Sequence, residues 1–279
     1  MTNPGPGIRG APALTEEILS FYEQGQEDRR LRVGTGRLEL LRTQDVLRRL
    51  LPPAPASIVD VGGGSGIHAE WLAAEGYLVD LVDPVPLHVK QAGRLADVNV
   101  RLGDARALEF ENESFDVALL LGPLYHLADA DGRALALSEA YRVLRPDGLL
   151  VAATINRFAG LHDTLNQGRY FDPLRRPQIE AATQDGRLRT EGGNSLFTTA
   201  YFHQPPEIAR EASAAGFALL GQYGLEGAAW LMTDMSAWLE EPAQCELLLR
   251  ALRLTESDPS LIGVSGHLLT AGRKTRLHD

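Results

Sequence analysis

The stretch Ser57-Ile58-Val59-Asp60-Val61-Gly62-Gly63-Gly64-Ser65-Gly66 decides the fold class of this chain, because an apolar, β-branched segment runs directly into four glycines within five positions. This pattern predicts a strand that ends in a ligand-binding loop. Glycine lacks the Cβ atom that would hold a ligand away from the backbone, and it tolerates the positive φ angles of a tight strand-to-helix turn. A helix predicted over residues 67–75 then directs its unpaired N–H groups at the loop.

Strand and helix patterns alternate on both sides of this loop. Strands are predicted at 57–61, 78–82, 98–102, 116–121 and 149–155, and helices at 67–75, near 87–95 and at 132–144. Such alternation predicts an α/β fold with a doubly wound, parallel sheet. The tetrapeptide Arg145-Pro146-Asp147-Gly148 predicts a turn before the fifth strand, with glycine in the left-handed position.

Composition narrows the class of partner. The 279 residues include 37 acidic and 27 basic side chains, and the net charge of −10 opposes binding to nucleic acid or an anionic membrane. Cys245 is the single cysteine, which excludes an intrachain disulfide and indicates a reducing, cytoplasmic setting. The apolar runs are only strand-length and the N-terminus lacks the core of a signal peptide, so a soluble, unexported protein is expected. The composition leaves monomer and homodimer equally open.

Changes in composition divide the chain into five predicted segments. These are a flexible tail (1–13), an N-terminal helical cap (14–53), a Rossmann-like core (54–155), an insertion (156–205) and a C-terminal completion of the sheet (206–279). The insertion holds six of the eighteen aromatic residues and follows the carboxyl end of a strand, where open α/β sheets bind ligands. A substrate lid and a small satellite core are equally compatible with it.

Acidic residues follow two further strands. Asp83 can accept hydrogen bonds from both hydroxyls of a ribose, although a helix-capping aspartate fits the position as well. Asp104 can face an adenine amino group, although a turn aspartate is the simpler interpretation. Since the run from Gly64 to Ala69 also fits the dinucleotide pattern G-x-G-x-x-A, glycine spacing alone leaves a nicotinamide cofactor open.

The order of five motifs resembles that of the class I S-adenosylmethionine-dependent methyltransferases of the small-molecule type. The motifs are Val59–Gly66, Asp83, Gly103–Ala105, Phe115–Leu121 and Tyr141–Leu149. The resemblance spans residues 57–155. It implies a seven-stranded, mostly parallel sheet whose last strand is antiparallel, in agreement with strands predicted at 218–223 and 267–271. It also implies S-adenosylmethionine as methyl donor and S-adenosylhomocysteine as product.

By position, the resemblance implies a cofactor site built from the loop and the strand ends that follow it. Its members are Asp60, Gly62, Gly64 and Gly66 around the methionine end, Asp83 at the ribose, Pro84, Asp104 and Ala105 at the adenine, and Leu121 near the sulfonium.

Methyl transfer from a sulfonium is an in-line displacement, so the protein mainly aligns the acceptor and excludes water. If the acceptor must lose a proton, the candidate bases are Tyr125, His126 and His203. A packed or cofactor-shielding side chain is the alternative for His126, and a surface-loop residue is the alternative for His203. Only His126, Asp129 and Asp131 come close to the ligand cluster of a metal-assisted reaction, and the remaining histidines show no metal-ligand spacing, so no metal is expected.

Seven arginines lie between Arg29 and Arg49. A solvated helix face is the plain interpretation of this cluster. The alternative is that the segment folds over the cofactor, with Tyr22 covering it and Arg37 or Arg42 pairing with a carboxylate.

The sequence therefore predicts a cytoplasmic methyltransferase that acts on an oxygen, nitrogen or carbon atom of a small molecule. The alternatives are an NAD(P)-dependent oxidoreductase that uses the same loop and a non-catalytic S-adenosylmethionine-binding module. The motifs do not constrain the acceptor, which we expect residues 14–50 and 156–205 to select.

Overall fold

The computed structural model describes residues 18, 22, 30–189 and 197–275 of the chain. The predicted tail at 1–13 lies outside these residues. Within the described part, every helix is too short or too polar to cross a membrane.

Five parallel strands form the centre of the molecule. They are β1 (Ser57–Val61), β2 (Leu78–Asp83), β3 (Val98–Leu102), β4 (Phe115–Leu120) and β5 (Leu144–Asn156), and they lie side by side in the order β3-β2-β1-β4-β5. Ile58 of β1 pairs with Val79 on one side and with Val117 on the other. These residues are buried, as expected for a parallel sheet that is covered on both faces.

Helices cover both faces of this sheet. They include α1 (Gly34–Leu50), α2 (Ile67–Ala74), α3 (Pro86–Ala92), α4 (Pro123–His126) and α5 (Ala130–Val143). On one face Leu47 of α1 and Leu72 of α2 pack in a cluster with Leu81 of β2. On the opposite face Leu137 of α5 packs in a second cluster with Leu120 of β4. The doubly wound arrangement predicted from the alternation is therefore confirmed.

The fifth strand differs from the prediction at its start. Residues 145–148 bulge out of the pairing between β4 and β5, where the register changes from Phe115↔Leu144 to Val117↔Leu149. The left-handed residue in this bulge is Asp147, with φ +65°, so the prediction that placed Gly148 there was wrong. Glycine is still required at 148, because an added Cβ would lie 2.8 Å from the carbonyl oxygen of Arg145.

The segment 156–205 adds secondary structure that the sequence did not indicate. It contains α6 (Ala159–Asn166), α7 (Arg176–Asp185), β6 (Arg187–Leu188) and β7 (Ala200–His203). Strand β7 pairs in parallel with the end of β5 through Ile155↔Phe202 and Asn156↔His203, and β6 pairs antiparallel with β7. A small apolar cluster that includes Ile179, Leu188 and Phe202 holds this segment together.

The rest of the chain completes the sheet. It contains α8 (Pro205–Ala214), β8 (Phe217–Gly224), α9 (Met235–Glu240), α10 (Pro242–Arg253) and β9 (His267–Lys274). Strand β9 runs antiparallel between β5 and β8. This confirms the predicted Rossmann-like, mostly parallel sheet with an antiparallel last strand. Among the described residues the sheet has nine strands and not the predicted seven, because β6 and β7 of the segment 156–205 extend it. Both late strands are slightly longer than predicted.

Candidate active site

A deep cleft, here called the loop cleft, lies at the carboxyl ends of the parallel strands. It holds about 1070 Å³ of empty space, part of which is open to solvent. Its walls include the glycine loop after β1 (62–65), the ends of β2 and β3, and residues 121–127 after β4. Since β1 and β4 flank the point at which the strand order reverses, the loop cleft occupies the usual ligand position of an open α/β sheet.

The predicted glycines of the loop serve two purposes. Gly62 and Gly64 line the cleft with φ angles of +71° and +59°. A Cβ added at Gly64 would have no atom within 4 Å, so this backbone faces empty space. Gly66 does not line the cleft; a Cβ there would lie 2.5 Å from Leu95, so this glycine allows close packing at the start of α2.

Asp60 is a carboxylate without a partner at the bottom of the cleft. The residue is 1% exposed, and neither of its carboxylate oxygens has a hydrogen-bond partner among the described residues. Burial, aided by the nearby charge of Asp83, raises the pKa of Asp60 to about 7. Gly63 is required beside it, because a Cβ there would lie 2.7 Å from Asp60 Oδ2. The site therefore holds an acidic group that a ligand cation can satisfy.

Asp83, at the end of β2, is almost fully engaged by the protein. It accepts hydrogen bonds from the backbone N–H groups of Gly64 (2.8 Å) and Val85 (2.9 Å), and its Oδ1 lies 3.0 Å from His88 Nδ1. A carboxylate offers about four acceptor positions, so about one remains for a ligand. The prediction that Asp83 accepts hydrogen bonds from both ribose hydroxyls therefore requires that one of the three present donors be displaced.

The remaining predicted cofactor residues lie close by. Pro84, Asp104, Ala105 and Leu121 all line the loop cleft. Arg106 engages Asp104 through its backbone N–H (2.9 Å) and its guanidinium (2.9 and 2.6 Å). Burial opposes ionisation of Asp104, but these hydrogen bonds lower its pKa, so the carboxylate is negatively charged.

His126 links two segments of the chain at the mouth of the loop cleft. Its Nε2 lies 2.6 Å from Tyr22 Oη, and its Nδ1 lies 3.3 Å from Thr198 Oγ1. Burial lowers the pKa of His126 to about 3, so the ring is neutral at physiological pH. Tyr125 packs beside it with ring centroids 4.6 Å apart. Because both nitrogens of His126 have partners, its geometry suits a closing contact better than a base.

Three predicted side chains lie elsewhere. His203 is fully buried at the end of β7, where its Nε2 lies 3.3 Å from Glu211, and it lines neither of the cavities described here. Arg37 is likewise absent from both linings. Arg42 is fully buried, and its guanidinium pairs with Asp45 of the same helix, α1, and with Glu256. The structure does not bring these three residues to the cofactor.

A further cavity, here called the second cavity, adjoins the loop cleft and holds about 1080 Å³ of empty space, part of which is open to solvent. Tyr22, Arg30, Glu39 and Tyr125 line both. Most of the other lining residues are apolar and come from β5, the segment 156–205 and the loop after β8: Ile155, Ala159, Ile179, Leu188, Phe197, Phe202 and Trp230. A small molecule with an apolar body fits this lining.

An ionisable cluster lies where the two cavities meet. One ligand atom from each of Glu39, Glu226 and His267 falls within 4.8 Å of the others, a spacing that can hold a metal ion. Arg30 donates two hydrogen bonds to Glu39, at 2.6 and 3.2 Å. The sequence does not indicate this cluster, because its three members lie on separate elements far apart in the chain and carry no motif.

Similarity to known proteins centres on the core. Residues 59–152 match a family model described as a methyltransferase domain. A ubiquinone biosynthesis O-methyltransferase from Azorhizobium caulinodans is 36% identical over 115 residues, which are 39% of this chain and 44% of that protein. The chain spans about half the length of the curated relatives that it matches.

Solved structures agree over a longer span. A SAM-dependent methyltransferase from Thermotoga maritima, described as a possible histamine N-methyltransferase, has a TM-score of 0.57 at 20% identity and covers 92% of this chain and 100% of that one. A SAM-dependent methyltransferase from Methanosarcina mazei has a TM-score of 0.56 at 17% identity and covers 83% and 98% of the two chains. At such identities the agreement concerns the fold.

Proposed function

We propose that this chain, in which residues 59–152 form a class I S-adenosylmethionine-dependent methyltransferase domain, methylates a hydroxyl oxygen of a small molecule. The observation that carries the proposal is the junction of two cavities. The loop cleft suits the cofactor and opens onto the mainly apolar second cavity through four shared residues. The choice of oxygen follows the O-methyltransferases that match the core.

The residues of the loop cleft fit the cofactor. Asp60 is buried and has no hydrogen-bond partner among the described residues, so its carboxylate would bind the α-ammonium group, and Gly64 leaves room for a ligand against the backbone. Asp83 would hold the ribose with its remaining acceptor position, and Asp104 with Ala105 would contact the adenine. When bound, S-adenosylmethionine supplies a methyl group made electrophilic by a positively charged sulfur.

In the proposed reaction, the residues of this chain align the acceptor with the methyl group and exclude water from the site. Tyr22, His126 and Thr198 join residues from three parts of the chain over the cleft. Tyr125 lines both cavities, so it can orient the acceptor towards the cofactor.

The second cavity defines the acceptor class. Its aromatic and aliphatic lining favours a molecule with an apolar body. The net charge of −10 disfavours a nucleic acid as acceptor. We propose a cytoplasmic location, because a chain with a single cysteine forms no intrachain disulfide and suits a reducing compartment.

Two measurements test the proposed function. Isothermal titration should show binding of S-adenosylhomocysteine and no binding of NAD. Incubation with labelled S-adenosylmethionine and a cell extract, followed by mass analysis, should give a small molecule that carries a new O-methyl group. NAD binding without S-adenosylhomocysteine binding would indicate an oxidoreductase. S-adenosylhomocysteine binding without transfer would indicate a binding module, and a methylated nitrogen or carbon would contradict the acceptor atom.

A further inference from the structure

Three carboxylates line the second cavity, those of Glu39, Asp163 and Glu226. Glu39 accepts two hydrogen bonds from the guanidinium of Arg30, at 2.6 and 3.2 Å. Glu226 is buried, with Oε1 2.6 Å from His267 Nδ1, and its Oε2 accepts a hydrogen bond from the backbone N–H of His267 at 2.9 Å. Basic side chains of the protein therefore engage two of the three carboxylates.

Asp163 differs from the other two, because no basic side chain engages it. Among the residues that the structure describes, no nitrogen of Lys, Arg or His lies within 4.0 Å of its carboxylate. Its side chain accepts one hydrogen bond, from Gln167 Nε2 at 2.7 Å. A carboxylate offers about four acceptor positions, so about three remain for a ligand in the cavity.

The surroundings of Asp163 favour a ligand cation. Burial raises the pKa of this carboxyl, whereas the hydrogen bond from Gln167 and the charge of Arg169, beyond ion-pair distance, lower it. A positively charged group bound at the carboxylate would offset the cost of removing its ionised form from water.

The local structure of α6 does not explain an aspartate at this position. The helix runs from Ala159 to Asn166, so Asp163 is well inside it and far from the N-cap, where aspartate is favoured. Inside a helix aspartate has a low propensity, and in the second half its charge lies towards the negative end of the helix dipole. The helix therefore gains little from this charge.

One face of α6 carries Asp163 into the second cavity. The residues of this face that line the cavity are Ala159, Gly160, Asp163 and Thr164, at the spacing of neighbours on one side of a helix. The hydroxyl of Thr164 donates to the carbonyl oxygen of Gly160 at 2.8 Å, so its proton is used within the helix. The charged group that this face offers to a ligand is the carboxylate of Asp163.

An aromatic side chain packs beside the same helix. Trp230 lines the second cavity, and its ring centroid lies 6.4 Å from that of His162 on α6. Its Nε1 donates to the carbonyl oxygen of Val264 at 3.0 Å, which fixes the indole. The face of an indole attracts cations, so an aromatic ring and a carboxylate at one end of a cavity suit an alkylammonium group. Neither Asp163 nor Trp230 lines the loop cleft, so this end lies away from the cofactor.

We propose that Asp163 makes the second cavity selective for an acceptor that carries an ammonium group at one end and the methylated hydroxyl at the other, joined by an apolar body. This assignment rests on the proposed methyl transfer, because it concerns the acceptor of that reaction. The ammonium group donates hydrogen bonds to Asp163, and the hydroxyl lies at the boundary with the loop cleft, beside Tyr125. The atom that receives the methyl group is therefore not the ammonium nitrogen.

The first test compares ligands that differ at one end only. Tyramine and 4-propylphenol share a ring, a hydroxyl and a chain length, but tyramine ends in an ammonium group and 4-propylphenol in a methyl group. In titrations of protein saturated with S-adenosylhomocysteine, tyramine should bind about tenfold more tightly than 4-propylphenol. The anionic 3-(4-hydroxyphenyl)propanoate should bind most weakly, because its carboxylate would face that of Asp163.

Asp163→Asn removes the charge and keeps the shape of the side chain. We expect this variant to bind tyramine about tenfold more weakly than the wild type does, to bind 4-propylphenol as before, and to gain affinity for the propanoate. Unchanged binding of S-adenosylhomocysteine reports that the variant is folded. Asp172→Asn is the matched control, since Asp172 lies in the same segment, accepts a hydrogen bond from the backbone N–H of Leu174 at 2.9 Å and lines neither cavity.

The second test uses the labelled product of the cell-extract experiment. A cation exchanger should retain this product at pH 7, and Asp163→Asn should raise the KM for its precursor about tenfold while kcat changes less than about twofold. A neutral or anionic product would overturn the proposal. So would tyramine that binds no more tightly than 4-propylphenol, or that binds equally well to wild type and Asp163→Asn. Tight binding of tyramine through Asp163 by protein that transfers no methyl group would support the cation site and contradict the proposed function.

Discussion

Asp60 is buried without a hydrogen-bond partner in the described part of the chain, so its ionised form is costly in the ligand-free protein. Folding raises the pKa of this carboxyl from about 4 to about 7. The stability associated with its protonated form is therefore complete below pH 4 and is lost as the pH rises towards 7.

Asp60→Asn should consequently stabilise the ligand-free protein while weakening the binding of S-adenosylhomocysteine. We expect the free energy of unfolding to increase by about 1–3 kcal/mol at pH 8 and by less at pH 5, since the replaced charge is fully present only at the higher pH. Urea denaturation at both pH values and isothermal titration measure the two effects. An equal gain at both pH values, or unchanged affinity, would contradict this role of Asp60.

Tyr22 is the second residue whose effect can be isolated. Tyr22→Phe removes the hydroxyl that lies 2.6 Å from His126 Nε2 and keeps the ring. Loss of one net hydrogen bond, worth about 1 kcal/mol, should raise the dissociation constant of S-adenosylhomocysteine about fivefold. Tyr170→Phe is the matched control, because Tyr170 bonds Glu180 at 2.7 Å outside both cavities. Equal effects of the two variants would exclude a role of Tyr22 in closing the cleft.

At the scale of an element, the glycine loop combines unusual backbone angles with empty space. Gly64→Ala should cost about 1 kcal/mol of stability, because φ is +59°, and should also lower cofactor affinity, because the new methyl group points into the loop cleft. Gly168→Ala is its control, since Gly168 has φ +67° and equally open surroundings but lies outside both cavities. Thermal denaturation should show similar losses for the two variants, and titration with S-adenosylhomocysteine should separate them. Comparable affinities would show that the cofactor does not approach Gly64.

Elements with a strong local pattern were predictable, and short ones were not. The strands β1 to β4 lie within one residue of their predicted limits. Strands β1, β2 and β4 are mainly apolar runs, and the edge strand β3 alternates apolar and polar residues, so each has a recognisable strand pattern. Strands β6 and β7 contain two and four residues, too few to show a period, and β7 exists because it pairs with the end of β5. In such segments tertiary pairing decides the structure.

The same distinction applies to the candidate site. The loop, Asp83 and Asp104 were predictable because each follows a recognisable strand. Glu226 and His267 were not, since only the packing of β9 against β5 and β8 brings them together. From sequence alone, Arg42 is as compatible with binding a ligand carboxylate as with a buried ion pair. The structure shows the ion pair, with Asp45 and Glu256.

At the scale of the whole molecule, a buried charge cluster joins α1 to the chain after α10. Arg42 is fully buried, pairs with Asp45 and Glu256, and donates from Nε to the carbonyl oxygen of Leu225 at 2.9 Å. Arg42→Met should lower the free energy of unfolding by about 3–5 kcal/mol, because it leaves two buried carboxylates with one partner fewer. Arg48→Met, which breaks an exposed pair with Glu75, should cost less than about 1 kcal/mol. Chemical denaturation of both variants checks this, and similar losses would mean that burial of the cluster adds nothing.

The boundary between the two cavities also bears on how such a protein can diversify. Only Tyr22, Arg30, Glu39 and Tyr125, among the described residues, line both the loop cleft and the second cavity. Under the proposed function, substitutions at positions such as Phe197 or Trp230 after a gene duplication would change the preferred acceptor and leave the residues that line only the loop cleft unchanged. A change of acceptor would then require few substitutions outside the second cavity. The second cavity is therefore the part of the protein to vary in a library that aims at new methylated products.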